Sequence, residues 1–226
     1  DISQDITVES NESTSTDDGS ASLSATGVAP EISLSESDGS TISFSDTPEG
    51  SASSETVTIS NDGSVPLTIG SVALTGGDAS AYSINEESLR LGPGDSETVA
   101  INFEPSSDSD FNDATIEFTQ TNDPDTASFS YSLEGTGTTS DASFEQPSVN
   151  VGSVAVGSSG TDSLTLSNDG GANLDVDSVT VRGNDPSVFS VSGIDGSTTV
   201  AGNSDTTFDV TSQPAVRGGS SAIIEI

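Results

Sequence analysis

Apolar and polar residues alternate in short runs along most of the chain. Val57 and Ile59 alternate with hydroxyl side chains within residues 56–60, and similar runs occur at Val99–Phe103 and Phe129–Leu133. Alternation with a period of two is typical of half-buried antiparallel strands. No stretch has the 3.6-residue spacing of an amphipathic helix. The pattern therefore predicts an all-β protein made of many short strands.

The strand pattern occurs twice. Residues 54–84 align without a gap with residues 161–191, so that the Asn-Asp-Gly run at 61–63 matches the run at 168–170. Such runs predict turns at positive φ. Further on, we match Thr98–Phe103 with Asp205–Val210, and Pro105 with Pro214. Strand number and spacing favour two tandem immunoglobulin-like β-sandwiches, residues 31–138 and 141–226, after a tail of residues 1–30.

The two ends of the chain are out of phase. Residues 128–138 (SFSYSLEGTGT) close the first sandwich, and a similar segment, residues 20–30 (SASLSATGVAP), precedes it. No such segment follows residues 222–226 (AIIEI), which correspond to residues 114–118 (ATIEF), the strand before the closing one. We therefore expect a surplus strand in the tail and a second sandwich that lacks its last strand.

A strand donated by one molecule to the next would account for both the surplus strand in the tail and the missing strand of the second sandwich. An open strand edge over a core leaves backbone groups unpaired, and a strand from another molecule can pair with them. We predict that the donor strand is Ser20, Ala21, Ser22, Leu23, Ser24, Ala25, Thr26 and Gly27, with Ile2, Ile6 and Val8 as a candidate extension. The predicted acceptor edge is Ala222, Ile223, Ile224, Glu225 and Ile226.

Donor and acceptor are different surfaces, so the predicted contact joins copies head-to-tail. Contacts of this kind build open filaments unless they close into a ring. We therefore predict a pilus-like homopolymer of two-domain subunits, whose partners are copies of the same chain.

The charge excludes several classes of partner. The chain has 37 acidic residues, three Lys or Arg and no His, which gives a net charge of -34. Nucleic acid and anionic membrane surfaces both require cations. Such a surface repels itself at low salt, which predicts a medium where the Debye length falls to about 3 Å. The composition resembles that of proteins from extreme halophiles, archaeal ones above all.

Catalysis is disfavoured by the residue inventory. His, Cys and Lys are absent, which leaves carboxylates as the remaining acid–base groups and excludes disulfides. We expect no enzyme activity and no cofactor. Calcium is the open question, because Asp108, Asp110 and Asp113 are close in sequence, as are Asn122, Asp123 and Asp125. Neither set matches an EF-hand, and a hydrated loop is the alternative for each.

Several features favour export. No apolar run approaches the roughly 20 residues of a membrane span. The chain starts with Asp1, which we interpret as a mature N-terminus after signal-peptide removal, although a trimmed chain would begin in the same way. Asn11 begins an N-glycosylation sequon. We therefore expect an extracellular or cell-surface protein.

A family resemblance supports the fold. The order N-x-G-x-x-x-L-x-I, V-x-L-x-G-x-D, V-x-I-x-F-x-P and L-x-G-T-G resembles the ASH-type (ASPM, SPD-2, Hydin) and choice-of-anchor D immunoglobulin-like repeats. The residues that carry it in the first copy are Asn61, Gly63, Leu67, Ile69, Val72, Leu74, Gly76, Asp78, Tyr82, Ile84, Val99, Ile101, Phe103, Pro105, Leu133, Gly135 and Gly137. The second copy departs from the pattern at residues 211–214 and lacks its end. The resemblance implies a non-catalytic interaction module.

Three alternatives remain open at the level of sequence. In the first alternative, the chain is a slice of a longer tandem array, in which residues 20–27 close an earlier domain. In the second alternative, the tail folds back onto its own second sandwich and gives a closed monomer. In the third, the protein is a carbohydrate- or protein-binding surface domain that forms no polymer.

Overall fold

A computed structural model describes residues 24–226 of the chain. Four of the predicted donor residues, Ser20, Ala21, Ser22 and Leu23, lie outside the described residues. The same holds for the candidate extension Ile2, Ile6 and Val8 and for the sequon at Asn11. We use the term first repeat for residues 31–138 and second repeat for residues 141–226; these bounds stay predictions.

The first repeat consists of strands and one short 3-10 turn, Ala79–Ala81. Its strands are β1 (Ile32–Leu34), β2 (Thr41–Ser43), β3 (Thr47–Pro48), β4 (Ser53–Asn61), β5 (Leu67–Thr75), β6 (Tyr82–Ile84), β7 (Leu89–Leu91), β8 (Ser96–Phe103), β9 (Asp110–Thr121) and β10 (Phe129–Thr138). One sheet has the order β1-β4-β8-β6, and the other has the order β2-β10-β9-β5-β7, with β3 also paired to β10.

Strand β10 completes the second of these sheets. It runs antiparallel to β9, with Tyr131 opposite Ile116, and parallel to β2, with Leu133 opposite Ile42. Its inward side chains Tyr131 and Leu133 are fully buried. They pack in one apolar cluster with residues of the facing sheet such as Val57. The closing strand is therefore an integral part of the first core.

The second repeat has the same kind of strands but a less complete second sheet. Its strands are β11 (Ala142–Phe144), β12 (Gly160–Asn168), β13 (Leu174–Asp175), β14 (Thr180–Arg182), β15 (Phe189–Ser192), β16 (Thr199–Val200), β17 (Ser204–Ser212) and β18 (Ile223–Glu225). One sheet has the order β11-β12-β17-β15, and the others are the pairs β13-β16 and β14-β18. A separate cluster that includes Leu166, Phe208 and Val210 forms its core. The predicted all-β, immunoglobulin-like sandwich fold is confirmed.

The strand ladders correct one part of the internal alignment. Val57 pairs with Val99, whereas the equivalent Leu164 pairs with Phe208 rather than Thr206. The match of residues 98–103 with 205–210 is therefore wrong by two residues, because the chain that precedes β17 is longer. The match of Pro105 with Pro214 is right, since their carbonyls accept from Gly50 N–H and Gly157 N–H respectively. Phe103 and Ser212 thus occupy equivalent positions.

Both Asn-Asp-Gly runs lead into the predicted turns, with the glycine N–H donating to the asparagine Oδ1 (3.1 and 3.2 Å), but they are not at positive φ and they also have a tertiary role. The buried Asn61 accepts from the N–H of Glu31 (3.3 Å) and donates to the Val65 carbonyl (2.9 Å). Gly63 is not at positive φ. A Cβ there would lie 2.5 Å from Glu31 N, so glycine is required because the incoming chain passes so closely.

The second repeat has the same arrangement. Asn168 accepts from Asp141 N–H (3.0 Å) and Gly170 N–H (3.2 Å), and it donates to the carbonyls of Ala172 (2.7 Å) and Val200 (3.1 Å). Each asparagine thus fixes the point where the chain enters its sandwich.

Replacing Asn168 with alanine is expected to lower the free energy of unfolding of the second repeat by about 1–3 kcal/mol, because buried backbone groups lose their partners. Denaturant unfolding measures the change. Asn173→Ala is the matched control, since Asn173 is exposed, and it should change stability by less than about 0.5 kcal/mol. Equal effects of the two substitutions would contradict the role of Asn168.

Candidate strand-acceptor cleft

The last strand of the second repeat lies where the alignment places it. In β14 and β18, Val181 is opposite Ile224; in β5 and β9, Leu74 is opposite Ile116. Since Val181 is equivalent to Leu74, Ala222–Ile226 occupies the position of Ala114–Phe118. Strand β18 is thus the counterpart of β9, the strand before the closing one in the first repeat.

Equivalent aspartates anchor β9 and β18. Asp78 Oδ2 accepts from Asp113 N–H (2.8 Å), and Asp78 N–H donates to the Asp113 carbonyl (2.9 Å). Asp185 makes the same pair of hydrogen bonds with Ser221, at 3.2 and 3.1 Å. The second repeat therefore builds this edge with the same local contacts as the first.

Strands β9 and β18 differ in what lies beside them. Strand β9 lies between β5 and β10. Within residues 24–226, β18 has β14 as its single strand neighbour. Residues 148–155, which are equivalent to β2 and β3, form no strand in this part of the chain. Among residues 24–226, the second repeat thus has counterparts of both flanks of β10, and no strand of this part of the chain lies between them.

A cleft of about 480 Å³ lies between these flanks. Val149, Val151 and Val154 line one side, and Ala222 and Ile224 line the other. Val181, Phe189, Val210 and Ser212 also line it. These flanking segments are the equivalents of β2, β3 and β9, so the cleft is the counterpart of the site that β10 occupies in the first repeat.

Apolar side chains at this edge are more exposed than their equivalents. Ile116 and Phe118 have no exposed surface, whereas Ile224 is half-buried and 39% of Ile226 is exposed. Tyr82 is buried in the first repeat, and its equivalent Phe189 is half-buried. Exposed apolar area of this kind is a feature of interaction surfaces.

The loss of aromatic rings leaves the cleft open. In the first repeat the rings of Phe44, Tyr82, Phe103 and Phe111 lie within 5.1–5.6 Å of at least one neighbour in the group. The equivalent residues of the second repeat are Val151, Phe189, Ser212 and Gly219. Because one ring remains of four, this end of the second sandwich has room that the first lacks.

A second depression lies at the other end of the same edge. It has a volume of about 350 Å³ and is lined by Phe144, Leu166, Leu174 and Ile226, among others. In the first repeat, the equivalent of Ile226 is Phe118, which stacks on Phe129 of β10 with ring centroids 4.5 Å apart. Both depressions therefore correspond to surface that β10 covers in the first repeat.

The predicted donor and acceptor residues are not in contact within the described part of the chain. Residues 24–27 are exposed and form no strand. None of them lines the cleft. The described residues of the tail therefore do not show the closed monomer.

The aspartates of the calcium candidates do not converge. Asp108 accepts from the Thr139 hydroxyl, Asp110 from the Thr136 hydroxyl, and Asp113 from Gly77 N–H. Asp123 is buried, and its two carboxylate oxygens accept from backbone N–H groups that include that of Ile32 (2.8 Å). Across residues 24–226, no three acidic side chains are grouped as a metal site. Each of these carboxylates makes its own local hydrogen bonds.

The chain has three arginines, Arg90, Arg182 and Arg217. Arg182 forms an ion pair, with its Nε 2.9 Å from Glu225 across β14 and β18, although both side chains are largely exposed. Exposed pairs contribute little stability, about 0–1 kcal/mol. No ion pair of Arg90 or Arg217 is present among the described residues.

Both tyrosines belong to the first repeat, and burial is the main cause that raises the pKa of each to about 12. Negative charge from Asp78 near Tyr82, and from Asp38 near Tyr131, acts in the same direction. Tyr82 donates to the Phe111 carbonyl (2.8 Å) and Tyr131 to the Glu36 carbonyl (3.1 Å). The neutral hydroxyl of each is therefore the form that fits the fold.

Alkaline titration is expected to destabilise the first repeat between pH 10 and 12. The unfolded chain releases the tyrosine protons at its ordinary pKa near 10.0, whereas the fold retains them up to about 12. Stability from this source is complete below pH 10 and falls by up to about 2–3 kcal/mol per tyrosine as pH rises to 12. Tyrosine fluorescence during denaturant unfolding measures it. Tyr82→Phe should lose roughly half of the effect; no change would contradict the assignment.

Among residues 24–226, no helix has the length and apolar character needed to cross a bilayer.

The first repeat is similar to a known domain family. Residues 33–134 match the family model described as the HYDIN/CFA65/VesB-like, Ig-like domain. The first repeat is thus similar to HYDIN/VesB-like immunoglobulin-like domains, in agreement with the resemblance seen in the sequence. No curated protein matches the chain.

Several solved structures resemble this chain at low sequence identity. The ASH/PapD-like domain 7 of human CEP192 is 15% identical, with 56% of this chain and 97% of that chain covered and a TM-score of 0.36. The class 5 fimbriae chaperone CfaA is 11% identical, with 86% and 98% covered and a TM-score of 0.37. The Pseudomonas aeruginosa CupB2 chaperone is 12% identical, with 75% and 86% covered and a TM-score of 0.33. These likenesses concern the architecture alone.

Proposed function

We propose that the protein is a structural subunit of an extracellular filament, in which each copy donates a tail strand to the second repeat of the next copy. Residues 20–27 form the donor strand. It pairs with the acceptor edge Ala222–Ile226 and covers the open cleft. The polymer is head-to-tail because donor and acceptor lie at different places on the subunit. The filament works in a medium of high salt, where its acidic surface is screened.

The observation that carries the proposal is the open cleft beside β18. Its flanks are the equivalents of the residues that surround β10. An added strand would bury the exposed surface of Ile226 and pair the free edge of β18. Burial of apolar area contributes about 25 cal/mol per Å², and satisfied backbone groups avoid a penalty of about 1–3 kcal/mol each.

A second candidate function has one specific observation in its favour. Strand β10 of the first repeat leads through residues 139–141 into β11 of the next repeat. The same connection joins residues 20–27 to β1, so these residues can close an earlier domain of a longer tandem surface protein. The cleft is then filled by the same polypeptide, and the chain acts as an adhesion or binding module.

Electron microscopy of the purified 226-residue protein in molar salt tests the proposal. The filament proposal predicts fibres with an axial repeat of about two domain lengths. A uniformly dispersed monomer, checked by analytical ultracentrifugation at the same salt concentration, would contradict the filament and favour the tandem-array candidate.

A further inference from the structure

We infer the register in which the cleft takes the donor strand: Leu23 lies opposite Ala222, Ala25 faces Ser212, and Gly27 lies beside Pro214 of the next copy. This inference rests on the proposed function and adds the residues that select the position of the strand.

The first step is the number of residues between the closing strand and the point where the chain enters the next sandwich. Gly63 lies against Ala29 and Glu31, and the equivalent Gly170 lies in the same way against Thr139 and Asp141. In addition, Ile32 is opposite Asn61, and Ala142 is opposite Asn168. The residues at which the chain enters the two sandwiches are therefore offset by 110 positions in the sequence.

The same offset, continued backwards, matches two short sequences. Residues 22–27 (SLSATG) fall on residues 132–137 (SLEGTG), with Leu23 at the place of Leu133 and both sequences ending in Thr-Gly. The tail thus carries the counterpart of the central part of β10 at the same distance from the sandwich that follows.

The second step is a compensating change in side-chain size: the residue in the cleft is smaller than its first-repeat equivalent, and the residue in the donor strand is larger. In the first repeat, a Cβ on Gly135 would lie 2.6 Å from the ring of Phe103, so β10 has to carry glycine there. The second repeat has Ser212 in place of Phe103. The donor has Ala25 in place of Gly135. The small Ser212 in the cleft is thus matched by the larger Ala25 in the strand, and this match occurs in one register. A shift of one residue would turn the Ala25 side chain to the other face of the strand.

The third step is a position where the strand has to stay glycine. A Cβ on Gly137 would lie 2.8 Å from Pro105 and closer still to the Ser107 carbonyl. The second repeat keeps the proline as Pro214, and the donor keeps the glycine as Gly27. In the described chain, Gly27 has no neighbour that would hinder a Cβ. Its own surroundings therefore do not require glycine, whereas the cleft does.

The register also defines which outer residues meet. Ser132 of β10 is opposite Thr115 of β9. The equivalent pair is Ser22 of one copy and Ile223 of the next. Ile223 is 66% exposed, so this pair can be altered without change to a core.

A cysteine cross-link tests the register in the full chain, which has no cysteine of its own. Ser22→Cys combined with Ile223→Cys should give a ladder of disulfide-linked multimers on a non-reducing gel after mild oxidation. Ser24→Cys and Ser20→Cys, each with Ile223→Cys, are the matched controls. A shift of two residues moves a strand position by about 6.8 Å, beyond the Cβ separation of a disulfide. We expect these controls to yield less than about a tenth of the multimers.

The outcomes separate the register from the proposed function. A stronger ladder with Ser24→Cys or Ser20→Cys would overturn the register and leave strand donation intact. No ladder with any of the three pairs, together with a monomeric protein, would overturn both.

A size-swap experiment tests the pairing of Ala25 with Ser212 independently. Ser212→Phe recreates Phe103 in the cleft and should weaken self-association by roughly tenfold or more, because the cleft becomes overpacked against Ala25. Ala25→Gly in the same chain should restore association, as in the first repeat. Ser212→Ala is the control and should leave association nearly unchanged. Failure of Ala25→Gly to rescue Ser212→Phe would overturn this contact.

Discussion

Leu23→Glu is expected to abolish fibre formation and leave a folded, dispersed subunit. In the inferred register, Leu23 is the one large apolar side chain that the donor places into the cleft of the next copy. A buried carboxylate without a partner costs several kcal/mol, which lowers the association constant by about three orders of magnitude or more. Electron microscopy and sedimentation velocity in molar salt measure the loss.

Ser24→Glu is the matched control for charge. Ser24 is on the opposite face of the donor strand, and its counterpart in the first repeat is the exposed Glu134. This variant carries the same added charge as Leu23→Glu but should form fibres as the unmodified protein does. Fibres from Leu23→Glu, or equal loss in both variants, would contradict the placement of Leu23 in the cleft.

The backbone of the acceptor edge is expected to become protected when the protein polymerises. In the dispersed Leu23→Glu subunit, β18 has a free edge, and its amides should exchange through local fraying. In fibres the amides of residues 223–226 should exchange roughly a hundred times more slowly, because the added strand pairs this edge and covers the core beneath it.

Strand β9 provides the internal reference for that measurement. It is paired on both sides by strands of its own repeat, so its amides should exchange at the same rate in fibres and in the dispersed subunit. Equal exchange of residues 223–226 in both forms would show that the cleft receives no strand on assembly.

Much of the fold could be predicted from the sequence, because the alternation of residues such as Val57 and Ile59 expresses the two faces of a strand directly. The placement of Ala222–Ile226 also follows from local similarity to Ala114–Phe118, and the strand register agrees with it. These features depend on neighbours along the chain, which a sequence displays.

The features that sequence reasoning missed depend on contacts between distant segments. Phe103 aligns with Val210 if no gap is allowed, and the exchange of Phe103 for Ser212 becomes visible with the two-residue shift of β17. The roles of Asn61 and Gly63 depend on a chain segment about thirty residues earlier. Asp108, Asp110 and Asp113 are close in sequence, yet each makes a different contact.

The central claim is that a strand from one copy fills the cleft of another, and a three-dimensional reconstruction of the fibres tests it most directly. The account predicts density for one strand between Ala222–Ile226 and Val149–Val151, continuous with Glu31 of the neighbouring copy. Fibres whose copies touch elsewhere, with this cleft empty or filled by the chain to which it belongs, would contradict the account.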